Sequence, residues 1–147
     1  MEFHNRLKWL RKNKKSTQVQ AAKALHITDR QYQRFEAGDA KPSYENLLAL
    51  ADFFNIPLDF LVGRGVFADW NAVIGKQAEI IQTLEKTSPF FENLKLEDNF
   101  PLFISLLPVI FEKIEYDEAE NSLSLYPSFS LDALKSLKME DMANQLQ

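Results

Sequence analysis

The sequence contains no cysteine, only two histidines (His4 and His26) and only four glycines in 147 residues. The first absence rules out disulfides and thiolate chemistry, and it permits a reducing cytosol. Two isolated histidines without cysteine leave no zinc ligand set, so no metal and no cofactor is expected. Neither a phosphate-cradling glycine loop nor an HExxH metalloprotease pair occurs. Long hydrophobic runs are missing too. The longest, "FPLFISLLPVIF" (Phe100–Phe111), holds two prolines and falls short of the ~20 residues a membrane span requires. The N-terminus "MEFHNRLKWLRKNKK" has no apolar run behind its basic residues, unlike a secretory signal. A cytoplasmic protein without a membrane partner is the expectation.

What is present is an ordinary globular composition, 46% hydrophobic and 26% charged, in a chain long enough for one ordinary domain or two small ones. The net charge of −4 conceals a split: residues 1–65 carry +4 and residues 66–147 carry −8. Such asymmetry suggests two modules with different partners, or an acidic half that is simply a solvated surface.

The first 62 residues read as five short helices punctuated by turns. Phe3–Asn13 places Phe3, Leu7 and Leu10 at helical spacing and ends in the basic "RKNKK", which suits a helix C-terminus. The second helix begins at "STQ", capped by Ser16 or Thr17, with Val19, Ala22 and Leu25 inward. Thr28 caps the third, which buries Tyr32 and Phe35 and stops at Gly38. After the turn "GDAKPS", Ser43 opens a helix with Leu47, Leu50, Ala51 and Phe54 inward. The short "LDFLV" follows Pro57 and closes at Gly63.

The third helix raises the functional question. Tyr32 and Phe35 anchor it, which leaves Asp29, Arg30, Gln33 and Arg34 outward, with Gln31 beside them. Arginine can donate twice to guanine, and glutamine can pair bidentately with adenine. Asp29 can accept from cytosine, or it simply stabilises the helix N-terminus. Two short helices joined by a tight turn are the geometry that presents one of them to the DNA major groove.

The stretch from Arg6 to Gly63 resembles the Xre-like, lambda-repressor-type (Cro/C1-type) helix-turn-helix family. The resemblance rests on the "TQ" that opens helix two, Ala22, Leu25, the "FEAG" that closes helix three, and "KPS" before "NLLALADFFNIPLDFL". It implies a five-helix DNA-binding domain. It further implies that Gln18 contacts a phosphate and buttresses the recognition helix, and that Thr28 caps that helix against the backbone. Asp29, Arg30 and Arg34 fall at base-reading positions, with Gln31 and Gln33 nearby. Lys41 falls where the loop contacts the phosphate backbone. Arg11 and Glu36 match a structural ion pair. Together with the "RKNKK" cluster, Lys41 and Gln18 would supply a salt-sensitive affinity. One departure is His26, where the family's turn has a glycine that tolerates positive φ.

The glycine pair at Gly63–Gly65 marks a domain boundary, giving domains 1–65 and 66–147. Beyond it, "DWNAVIGKQAEIIQTLEK" reads as one helix capped by Asp69, its stripe running through Trp70, Val73 or Ile74, Gln77, Ile81 and Leu84. Phe90–Tyr116 reads as an aromatic helical region broken or kinked at Pro108. "DEAENS" is an acidic loop, and "LSLYPSF" alternates like a short extended piece, although Pro127 argues against a central strand. Ser130 would cap a last helix through Leu131, Leu134, Leu137 or Lys138, Met142 and Leu146. Seven phenylalanines after Gly65 imply a packed domain.

The expected fold is therefore all-α: a five-helix lambda-repressor-like domain followed by a separate small helical one. The expected partner is double-stranded DNA, bound as a homodimer; the Trp70–Leu84 and Leu131–Leu146 stripes are candidates for its interface, or else faces that close an intramolecular helical core. That half could also receive a protein or peptide effector. The expected function is sequence-specific transcriptional regulation by repression, in a bacterium or a phage. The alternative is an antitoxin-like or peptide-responsive interaction protein. A serine–lysine autocleavage apparatus needs a β-rich domain, which the helical reading does not offer, so no enzyme is expected.

Overall fold

A computed structural model describes residues 1–129. Contacts between Cα atoms divide the chain into two compact units, Met1–Val62 and the remainder from Gly63 onward.

The first unit consists of α1 (Phe3–Asn13), α2 (Gln18–Ala24), α3 (Asp29–Ala37), α4 (Tyr44–Phe54) and α5 (Leu58–Val62). Its core gathers Leu7, Leu10, Ala21, Ala22, Leu25, Tyr32, Phe35, Leu50, Phe54 and Phe60. Val19, expected on the inner face of α2, is instead 52% exposed, and Ala21 is buried. The close face of α2 is centred on Ala21, Ala22 and Leu25, and Val19 lies roughly 110° around the helix from it. Arg6 ties α5 to α1, donating through Nε to Leu61 O (3.2 Å) and through Nη2 to Val62 O (3.0 Å).

The first four helices end alike. At each C-terminus one residue, the C-cap or the one after it, adopts positive φ, and the next N–H reaches back to the last turn. Ser16 donates to Arg11 O, Ile27 to Ala22 O, Asp39 to Arg34 O and Ile56 to Ala51 O, all at 3.0–3.1 Å. The positive-φ positions are Lys15, His26, Gly38 and Asn55. Gly38 and Asn55 suit that conformation. Lys15 (φ 58°) and His26 (φ 56°) adopt it against Cβ sterics, at a cost of about 1 kcal/mol or more each. His26 thus takes up the backbone that its glycine-less turn demands.

In the second unit a 3₁₀ turn (Gly65–Phe67) leads to α6 (Trp70–Gly75), α7 (Gln77–Thr87) and α8 (Pro89–Glu92). A second 3₁₀ turn (Leu96–Asp98), α9 (Phe100–Ile110), β1 (Phe111–Asp117) and β2 (Ser122–Pro127) follow. The all-α expectation is therefore corrected: β1 and β2 form an antiparallel hairpin. The tail of the stretch read as helical is strand, because Ile114 and Tyr116 pair across the hairpin with Leu125 and Leu123. Pro108 does not break α9, which runs two residues past it before the chain extends at Phe111.

The single helix expected from Trp70 to Leu84 is also interrupted. Lys76 leaves helical geometry (φ −120°, ψ 23°) directly after Gly75, the residue with the weakest helix preference in that run. Its ammonium lies 4.5 Å from the centre of the Tyr116 ring and 3.4 Å from Asn121 Oδ1. Trp70, Val73, Ile81 and Leu84 are buried within this unit, so their stripe closes its core. The Leu131–Leu146 stripe lies outside the described residues.

Asp69 joins the two halves of this unit. One carboxylate oxygen accepts from Ala72 N and caps α6; the other accepts from Tyr116 N of β1, both at 3.0 Å. Asp69→Ala is expected to lower stability by about 1–2 kcal/mol, measured as a lower urea midpoint. An unchanged midpoint would contradict this double role.

Candidate nucleic-acid interface

The outward face of α3 is built from its buried one. Tyr32 and Phe35 sink into the core, and the 3.6-residue period then turns Asp29, Arg30, Gln33 and Arg34 to solvent, where all four are exposed. Arg30, Gln33, Arg34, Ala37 and Asp39 line one shallow depression. Two guanidinium forks and one amide thus converge there, offering the donors and acceptors that read base edges. Asp39 was not anticipated among them. Its only sequence signal is its position two residues past the helix end.

The start of α3 is locked by a reciprocal cap. Thr28 Oγ1 accepts from Gln31 N (3.2 Å), and Gln31 Oε1 accepts from Thr28 N (3.0 Å). The side chain of Gln31 is therefore engaged in the cap rather than held out beside the readers. The spacing Thr28–x–x–Gln31 announces this arrangement, and Thr17–x–x–Gln20 repeats it at α2.

Behind α3 lies a charged node. Glu36 is 7% exposed and receives Arg11 of α1 in a two-pronged pair, Nε to Oε1 at 2.5 Å and Nη2 to Oε2 at 3.1 Å. Gln18 of α2 donates to Oε2 at 2.9 Å. One carboxylate on α3 thus fastens both preceding helices. Arg11 also donates to Ser16 O (3.1 Å), tying in the turn before α2. Burial pushes the Glu36 carboxyl up, but hydrogen bonds, those from Arg11 and Gln18 first among them, together with the Arg11 charge hold the group below its usual range. Tyr32 contributes a fully buried hydroxyl that finds no hydrogen-bond partner within normal geometry among the described residues. Burial, then the Glu36 charge, raise its pKa far above the ordinary phenol value.

Gln18 commits one Nε2 hydrogen to Glu36 of α3, and its amide carries a second. Lys41 is exposed in the loop before α4. Ser43 caps that helix by accepting from Asn46 N (3.2 Å). Within "RKNKK", Arg11 faces inward to Glu36 and Lys14 lies over the Phe53 ring at 4.8 Å. Lys12 and Lys15 are exposed. Among the described residues no cluster of three or more His, Cys, Asp or Glu side chains could hold a metal ion, and no single helix is long and apolar enough to cross a membrane.

Known proteins are similar to this chain in sequence. The helix-turn-helix family HTH_3 matches residues 7–61. A transcriptional repressor of the cryptic phage CTXphi, RstR of Vibrio cholerae, is 34% identical over 86 residues, covering 58% of this chain and 76% of its own. The transcriptional activator BcrR of Enterococcus faecalis is 34% identical over 62 residues, 42% of this chain and 30% of its own length. The helix-turn-helix regulator YqaE of Bacillus subtilis is 37% identical over 60 residues, 41% of this chain and 52% of its own. The crystal structure of a transcriptional regulator from Listeria innocua aligns over 58% of this chain and 94% of its own at 26% identity, with a TM-score of 0.41. The chain belongs to the Cro/C1-type helix-turn-helix family and is a DNA-binding transcriptional regulator.

The charged node makes stability depend on pH. Because Glu36 ionises more readily folded than unfolded, its contribution is complete above the unfolded value of about 4.3 and is lost as pH falls through the folded one. Glu36→Gln is therefore expected to be less stable than the native chain by about 2 kcal/mol at pH 7, with the gap narrowing below about pH 4. Urea titrations at both pH values measure it; a gap independent of pH would refute the assignment.

Proposed function

We propose that the protein is a sequence-specific repressor that binds as a dimer and reads the major groove with the helix running from Thr28 to Ala37. The observation that carries this reading is the exposed cluster of Arg30, Gln33 and Arg34 on one face of a helix whose opposite face is fixed by Tyr32, Phe35 and Glu36. Side chains that read bases must be held by a rigid support, and a helix anchored by its own core residues supplies one. Asp29 either accepts from a base or favours the helix N-terminus. Lys41, the free hydrogen of Gln18 and the Thr28–Gln31 cap region would set the helix on the phosphate backbone.

Residues 1–65 would act as the DNA module and residues 66–147 as the self-association module. One module of this size covers only a half-site, and a two-fold dimer would span two half-sites about one helical turn apart. Repression needs only occupancy of the promoter, so no activating surface is invoked. The similarity to RstR, a phage transcriptional repressor, supports this choice.

Two substitutions separate reading from positioning. Arg34→Ala should weaken binding to the preferred duplex by about 10- to 100-fold while its far-UV spectrum and urea midpoint stay native. Lys41→Ala should weaken binding to all duplexes alike and reduce the salt slope by about one unit. Equal losses for preferred and random DNA in Arg34→Ala would remove it from the reading face.

A further inference from the structure

We propose that Asp39, one residue past the cap of α3, is a specificity-determining residue that accepts a hydrogen bond from a cytosine amino group in the major groove. The proposal rests on the reading of α3 as the base-reading helix and adds an acidic reader beside Arg34.

The carboxylate stands with the readers, on a backbone that the helix end fixes. Asp39 is exposed and lines the same depression as Arg30, Gln33 and Arg34. Gly38 turns the chain at φ 81°, and Asp39 N then donates to Arg34 O at 3.0 Å. Ala40 N reaches the same oxygen at 3.3 Å. His4 of α1 packs on this turn: a Cβ at Gly38 would meet its ring 3.1 Å away. A side chain that reads bases needs a support of this kind.

No local interaction favours a carboxylate at this position. Asp29 and Glu45 stand in the first turns of α3 and α4, where the helix dipole favours negative charge. Glu36 is held by Arg11 and Gln18. Asp39 follows the opposite end of α3, where the dipole opposes it. Among the described residues its carboxylate takes no hydrogen bond and no ion pair. Asp69 and Asp117 differ, since their carboxylates accept backbone N–H groups.

The chemistry of DNA narrows what such a group can meet. Phosphates repel it, and so do O6 and N7 of guanine and O4 of thymine, which are acceptors. The amino group of cytosine is a donor with no acceptor beside it in the groove, whereas that of adenine lies next to N7. Arg34, whose carbonyl holds the Asp39 backbone, supplies the donors that suit guanine. An arginine and a carboxylate together match the acceptor–acceptor–donor edge of a G·C pair. Across the exposed face, Asp29 and Asp39 also balance the charges of Arg30 and Arg34. A face without net charge is drawn only weakly to phosphates at large, so wrong sequences are disfavoured while the right one is selected.

The test is selection of a random duplex pool on the full-length native chain, Arg34→Ala, Asp39→Ala and Asp39→Asn, with sequencing of each bound fraction. The native pool should prefer cytosine at one position, in or beside the G·C pair whose preference Arg34→Ala loses. In Asp39→Ala that cytosine preference should fall about 10-fold, with the other positions and the urea midpoint unchanged. Its binding to random duplex should tighten, because a charge of the same sign as the phosphates is gone. Asp39→Asn keeps the shape but can donate, and should move the preference toward adenine. A native pool enriched in other bases but indifferent to cytosine there, or Asp39→Ala with the native preference at every position, overturns the role of Asp39 and spares α3 as the reader. A uniform loss of affinity in Asp39→Ala with a lower urea midpoint does the same. A native pool with no enrichment at all overturns the reading of α3, and the role of Asp39 with it.

Discussion

The carboxylate of Glu36 is the constraint on which the DNA-binding unit depends. It is buried and ionised, and it is satisfied by two donors from two other helices, Arg11 on α1 and Gln18 on α2. A buried charge without such partners is costly, so the three helices cannot drift apart without exposing that cost. Because Glu36 is one turn from Tyr32 and two residues from Arg34, the node controls the pitch of the exposed face. Hydrophobic burial alone would hold α3 to the core. The bidentate geometry adds a defined rotation about the helix axis, which base reading requires and a greasy contact does not supply.

Local chemistry made the first unit legible. The span of α1 (Phe3–Asn13), the caps at Thr28 and Ser43 and the glycine stop at Gly38 are all announced by residues within a few positions of the element they set. The Arg11–Glu36 pair is implied by the family resemblance rather than by any local signal, and the two side chains lie 2.5 Å apart. Legibility failed where distant partners decide. Nothing local distinguishes "FEKIEYD" from a helix tail; it becomes a strand because Leu123 and Leu125 lie opposite it. Lys76 interrupts its helix beside a hairpin forty residues downstream that receives its ammonium. Val19 reads as core by spacing and is turned out by the close packing of two alanines. The spacing Thr28–x–x–Gln31 is that of a capping box, and the Gln31 side chain serves the cap although it stands next to the readers in sequence.

The second unit places a short hairpin on a helical core, with Asp69 as the joint between them. One side chain there caps a helix and occupies a strand edge at once. That economy leaves the hairpin asymmetric, with one edge engaged and the other uncharged.

The most direct measurement is selection of the full-length protein on a random duplex pool, followed by sequencing of the bound fraction. A dimer reading bases through α3 predicts an enriched site with two-fold symmetry and half-sites about one helical turn apart. A folded protein that retains DNA with no sequence enrichment, or none at all, would contradict the assignment of Arg30, Gln33 and Arg34 to base reading.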